Sequence, residues 1–139
     1  MKFWDTSALV PLCAREAASE QMLNLLQADR SVAVWWASMV ECSAAFARRG
    51  REGRLTPDDW DYAATKLTVL KDSSFEVEPS ERVRTLATRL VRVHTIRASD
   101  ALQLAAALVW IDKAAPGEFV TLDRRLHTAA RLEGFRALP

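Results

Sequence analysis

The chain has 139 residues, half of them hydrophobic and 27% charged, the balance of an ordinary globular domain with one core and not of a disordered segment. Its 19 basic and 18 acidic residues leave a formal charge of +1, so a nucleic-acid partner would be held by a local patch and not by the field of the whole molecule. Cys13 and Cys42 lack metal-ligand or redox spacing to each other and to His94 and His127, which argues against a zinc ribbon or dithiol motif and for two buried free thiols.

In chain order, residues 2–4 have the aromatic character of a strand and Asp5 stands where that strand hands over to a short helix over residues 8–12. Residues 16–28 carry Met22, Leu23, Leu25 and Leu26 at helical spacing, and 32–36 read as a buried strand. A helix starts at Ser38 and runs through Ala44, Ala45 and Phe46 to the basic stretch 48–54. Thr56-Pro57-Asp58-Asp59 combines a capping hydroxyl, a first-turn proline and acids at the positive helix end, so the next helix should reach about Lys71 and pair with its predecessor. A strand over 75–78 precedes a helix opened by Pro79-Ser80-Glu81. Ala98-Ser99-Asp100-Ala101 opens another helix, apolar on nearly every side through Ile111 and therefore central. A strand over 118–121, a helix over 123–133 and a strand over 135–138 complete the chain.

Strands alternating with helices over short links imply an α/β fold: a three-layer α/β/α sandwich with a central parallel sheet and right-handed crossovers. No linker divides residues 1–139, which reads as a single domain. The run from Ala101 to Ile111 is too short to span a bilayer, and Asp5 interrupts any signal-peptide core, so a cytoplasmic protein without membrane association is expected.

Four carboxylates, Asp5, Glu41, Asp100 and Asp123, all sit at predicted helix starts. In a parallel sheet most such starts open onto one rim, so the acids can converge across long stretches of sequence. Each also has a local explanation: Asp5 and Asp123 as helix caps, Glu41 as the acid of a capping box with Ser38, and Asp100 as a complement to a helix dipole. Local capping does not require four acids on one rim, where crowded negative charge raises pKa values unless a cation intervenes. Mg²⁺ or Mn²⁺ suits such oxygen ligands, and a bound divalent ion activates water for phosphodiester hydrolysis.

The motifs Asp5-Thr6-Ser7-Ala8-Leu9-Val10, Ala37-Ser38-Met39-Val40-Glu41, Ser99-Asp100-Ala101-Leu102-Gln103-Leu104-Ala105 and Thr121-Leu122-Asp123-Arg124-Arg125-Leu126 occur in that order over the chain. In them the sequence resembles PIN-domain ribonucleases, specifically the VapC-type toxins of toxin–antitoxin pairs. The resemblance implies that Asp5, Glu41, Asp100 and Asp123 are catalytic and form the metal site, with Asp5 and Asp100 the most direct ligands. It further implies that Ser7 or Thr6 positions a water or an acid and that Thr121 supports Asp123. With it come Mg²⁺- or Mn²⁺-dependent cutting of RNA, including structured RNA such as tRNA, a homodimer, and silencing by a small antitoxin protein. The bulky pair Trp35-Trp36 before Glu41 departs from the pattern.

Arg97, Arg124 and Arg125 adjoin the acids and could grip phosphate, whereas Arg48 to Arg54 should point away from them. Trp60 and Trp110 read as core or interface residues. A HAD-type phosphatase would need an acid where Ser7 stands, and a receiver module would need paired acids after the first strand. The alternative from another class is a catalytically silent PIN-fold module that acts only through a protein partner.

Overall fold

The structure is a computed structural model that describes residues 1–111 and 116–139. Five short strands, β1 (Lys2–Trp4), β2 (Val32–Trp35), β3 (Phe75–Val77), β4 (Glu118–Val120) and β5 (Arg136–Leu138), form one sheet in the order β3-β2-β1-β4-β5. Every pairing is parallel. The helices between them are α1 (Thr6–Cys13), α2 (Ser19–Ala28), α3 (Ser38–Arg51), α4 (Pro57–Asp72), α5 (Glu81–Val93), α6 (Ala98–Trp110) and α7 (Arg124–Leu132).

The two-residue period of the strands sorts the core into two halves. Phe3, Ala33, Trp35 and Phe119 point to one face, where α5, α6 and α7 supply Leu90, Leu104 and Leu126. Trp4, Val32, Val34 and Val120 point to the other, against Leu9, Met22, Phe46 and Leu67 of α1 to α4. The three-layer sandwich expected from the sequence is what forms. Because β1 lies centrally and the chain leaves it first toward β2 and later toward β4, the order reverses between β1 and β4, and the crevice beyond that pair is where open parallel sheets bind ligands.

Local differences from the sequence reading have local causes. The first helix begins at Thr6, because the Asp5 side chain caps it, and it carries Pro11 within. The second begins only at Ser19, whose hydroxyl bonds to Pro11 O and Ala14 O and holds the preceding turn. Strand β2 ends at Trp35, and Trp36 turns its side chain outward, 49% exposed. The final strand starts at Arg136, after Gly134 at φ 97° lets the chain leave α7. Thr56 and Asp59 do form a capping box on α4. Trp60 packs edge-on against Phe46 and Trp110 lies 6.1 Å from the Phe3 ring, both packing residues as read. Both cysteines are buried free thiols. Among the described residues no helix is long and apolar enough to cross a membrane.

Candidate active site

Asp5 follows β1 directly, at the reversal point, and is 4% exposed. Its backbone N–H donates to Val120 O of β4 at 2.9 Å, which pins it to the neighbouring strand. Three donors converge on Oδ2: the Ser7 amide at 3.1 Å, the Ser7 hydroxyl at 2.5 Å and the Thr121 hydroxyl at 2.9 Å. The Ser7 hydroxyl in turn accepts from Leu122 N, and the Thr121 hydroxyl accepts from Asp123 N. Ser7 and Thr121 therefore tie the end of β1 to the loop after β4 and orient Asp5 with Asp123 in one network. Burial pushes the Asp5 carboxyl up to about 6, against the lowering effect of those hydrogen bonds and with a further push from Glu41.

Glu41 reaches the same area from the first turn of α3. Its Oε2 accepts from the Thr6 hydroxyl at 2.7 Å and from the Gln103 amide at 2.9 Å. The capping box expected between Ser38 and Glu41 does not form: Ala37 is the capping position, without a side-chain bond. Ser38 is instead buried, its hydroxyl accepting from Gln103 Nε2 at 3.0 Å. Glu41 is thus held by tertiary contacts, from α1 and α6, and not by its own helix end.

Asp100 and Asp123 make a second pair, lining one hollow with Arg97, Arg124 and Arg125. Asp100 Oδ2 accepts from Arg97 N at 3.3 Å, and burial followed by the charge of Asp123 raises its carboxyl above the ordinary range. Asp123 caps α7, its Oδ1 accepting from Arg125 N and Leu126 N. The capping explanation is therefore true of Asp123, though of only one of its oxygens.

The acids stand as two couples, Asp5 with Glu41 and Asp100 with Asp123, bridged by Thr121. Among the described residues no three His, Cys, Asp or Glu groups lie close enough together to hold one ion as a set. The donor chemistry nevertheless fits Mg²⁺ or Mn²⁺: all oxygen, in pairs, where such ions ordinarily take one or two carboxylates and fill the rest with water and phosphate. Asp5 Oδ1, Glu41 Oε1 and Asp123 Oδ2 meet no protein donor among the described residues, while the opposite oxygen of each is fixed by one or more.

Gln103 was visible in the sequence only as a polar interruption of an apolar run. It is 1% exposed, and its amide nitrogen also donates to Thr6 Oγ1 at 2.8 Å. A polar residue on the buried face of a central helix is the signal that could have identified it, since such a group persists only with partners.

Residues 2–132 match the family model of the PIN domain. This chain belongs to the PIN-domain family. Two Mycobacterium tuberculosis proteins, Ribonuclease VapC45 of strain CDC 1551 / Oshkosh and Ribonuclease VapC49 of strain ATCC 25618 / H37Rv, are each 33% identical to it over 138 residues, 99% of this chain and 94% of theirs. The PIN domain described here is accordingly of the VapC type. Its fold is shared with PAE2754 from Pyrobaculum aerophilum, at TM-score 0.66 and 20% identity over 98% of this chain and 87% of that one. It is also shared with the structure of FitAB bound to an IR36 DNA fragment, at TM-score 0.67 and 14% identity over 99% and 94%.

Proposed function

We propose that this PIN domain is an endoribonuclease that uses Mg²⁺ or Mn²⁺ and acts as the toxin of a toxin–antitoxin pair. The observation that carries the reading is Asp5: a buried carboxylate at the reversal point of the sheet, held through one oxygen by three donors while the other is left for a ligand. Asp5 with Glu41, and Asp100 with Asp123, would hold the ion. When bound, it lowers the pKa of a water for attack on phosphorus and steadies charge on the leaving oxygen.

The chain's own residues supply placement. Ser7 and Thr121 fix the orientation of Asp5, Thr6 and Gln103 fix that of Glu41, and the Asp123 cap keeps α7 and its arginines beside the acids. The ribonuclease names of its relatives support RNA as substrate, and tRNA among the RNAs goes with the family resemblance alone. The VapC type supports a small antitoxin as partner, and a homodimer goes with the same resemblance.

Purified protein with Mg²⁺ or Mn²⁺ should cut RNA and lose the activity in EDTA. Asp5→Asn and Asp100→Asn should each abolish it while the circular dichroism spectrum persists. The silent binding module is favoured by one observation, that no three acids stand together as an ion-holding set among the described residues. Equal cleavage by wild type and both variants, or none by any of them, would decide for that alternative.

A further inference from the structure

We propose that the RNA strand lies across the outer face of α7, with Arg124 as a phosphate clamp between the Asp100/Asp123 couple and a hollow under His127 that takes a nucleobase. This rests on the ribonuclease reading above and adds to it the path of the substrate.

Three surface hollows meet at Arg124. One of about 350 Å³ holds Asp100 and Asp123 with Arg97 and Arg125. The next, of about 450 Å³, begins at Asp123 and Thr121 and continues over Leu122, His127 and Thr128. The third, of about 480 Å³, runs the other way, past Arg125 and Thr128 to His94 and Thr95. Arg124 lines all three, so a strand entering the acid couple from either side passes its guanidinium.

Helical spacing makes this face. Leu126, Ala129 and Ala130 are buried, which turns Arg124, His127 and Thr128 outward along one stripe. Among the described residues Arg97, Arg124 and Arg125 have no carboxylate within ion-pair distance, while Arg49 and Arg54 of the other basic stretch are tied to Glu16 and Glu52. Nor can the start of α7 itself serve phosphate, because Asp123 already occupies its Arg125 and Leu126 amides. The positive charge that meets a phosphate there must come from side chains, and the arginine fork matches phosphate oxygens.

The hollow under His127 has a different chemistry. His127 lines it with the apolar Leu122 and Pro139 and the polar Asp123 and Thr128; Thr128 donates to Arg124 O and keeps its lone pairs for an incoming donor. An aromatic face with a polar edge suits an unstacked base.

The test is binding of a fluorescein-labelled single-stranded oligoribonucleotide, followed by anisotropy, in an Asp5→Asn background where the probe is not cut. Asp5 lies outside all three hollows. Arg124→Ala should weaken binding about tenfold and flatten the slope of log K against log salt by about 0.7, the share of one phosphate on a single strand. His127→Ala should weaken binding about tenfold at unchanged slope, and His127→Phe should restore it. Arg51→Ala, at the far end of α3, should leave affinity within about twofold. An unchanged slope for Arg124→Ala, a His127→Phe as weak as His127→Ala, or an Arg51→Ala as damaging as Arg124→Ala would each overturn the path. If wild type cuts RNA and the α7 variants are silent, only the path falls; if wild type neither binds nor cuts RNA, the ribonuclease reading falls with it.

Discussion

The two ends of the one sheet treat their charges in opposite ways. At the end where the strands begin, Lys2 is buried between Asp29 at 3.2 Å and Glu118 at 3.5 Å, Glu118 also meets Arg136 at 3.1 Å, and Asp29 meets the Met1 ammonium at 2.6 Å. Asp29 and Glu118 there each have two cations. At the end where the strands finish, Asp5, Glu41, Asp100 and Asp123 have hydrogen bonds but no ion pair among the described residues. The pKa directions follow: the Met1 ammonium, the Ser31 amide and Lys2 hold Asp29 well below the usual carboxylate range, while burial pushes Asp5 up to about 6. One rim pairs its charges, and the other holds carboxylates that have no ion pair among the described residues. This is the pattern expected of a functional edge.

Reversing the contrast is the most severe way to test it. Asp5→Asn should remove RNA cleavage altogether yet make the metal-free protein more stable at neutral pH. Raising a carboxyl from 3.8 to about 6 corresponds to an upper bound of about 3 kcal/mol, or a Tm gain of at most about 10 °C by scanning calorimetry. A lower Tm for Asp5→Asn in EDTA would remove the claim that this rim is destabilising. At the other rim the sign is opposite: Lys2→Met leaves Asp29 and Glu118 facing each other without their shared cation. Urea denaturation should register a loss of about 1–3 kcal/mol with cleavage of RNA preserved.

The pH dependence sharpens the same comparison. The folded protein holds the Asp5 proton more tightly than the unfolded chain, so this group's contribution to stability falls as pH rises from about 4 to about 6. The Tm difference between Asp5→Asn and wild type should therefore vanish near pH 4 and level off above about pH 6. Asp29, with its depressed pKa, stabilises above the unfolded value and loses that contribution as pH falls toward its folded one. On the proposed role of Asp5 as an ionised metal ligand, the acid limb of cleavage should lie near pH 6 and move to lower pH as Mn²⁺ is raised. An acid limb indifferent to Mn²⁺ would separate Asp5 from the ion.

The smallest expected effect concerns the frame around Glu41. Gln103→Leu removes donors to Thr6, Ser38 and Glu41 and should cost about 1–2 kcal/mol of stability. It should also lower kcat about tenfold with little change in KM, because Glu41 keeps its charge but not its orientation. A variant with wild-type kcat would reduce Gln103 to a packing residue.

Much of this was legible in the sequence because it is local. The unbroken apolar run Val32 to Trp35 and the spacing of apolar residues in α5 and α7 identify the elements, and the Thr56-Pro57 start of α4 needs only its own neighbours. Short links between strands leave a parallel sandwich as the way to bury both faces. The four acids could be located at helix starts for the same reason. Their actual partners could not. The capping box of Ser38 with Glu41 is a sound local pattern, defeated by Gln103 and Thr6, which lie 62 and 35 positions from Glu41.

Sequence by itself determined the alternation of strands and helices, the residues with charge to offer, and the family they belong to, because periodicity and motif spacing act over a few residues. Only the tertiary structure decided that the acids stand as two couples bridged by Thr121, that one oxygen of Asp5 is bound while its neighbour is left open, and that Arg124 lies where three hollows join. Those facts depend on hydrogen bonds and packing across the reversal between β1 and β4, between residues whose separation along the chain carries no information about their distance in space.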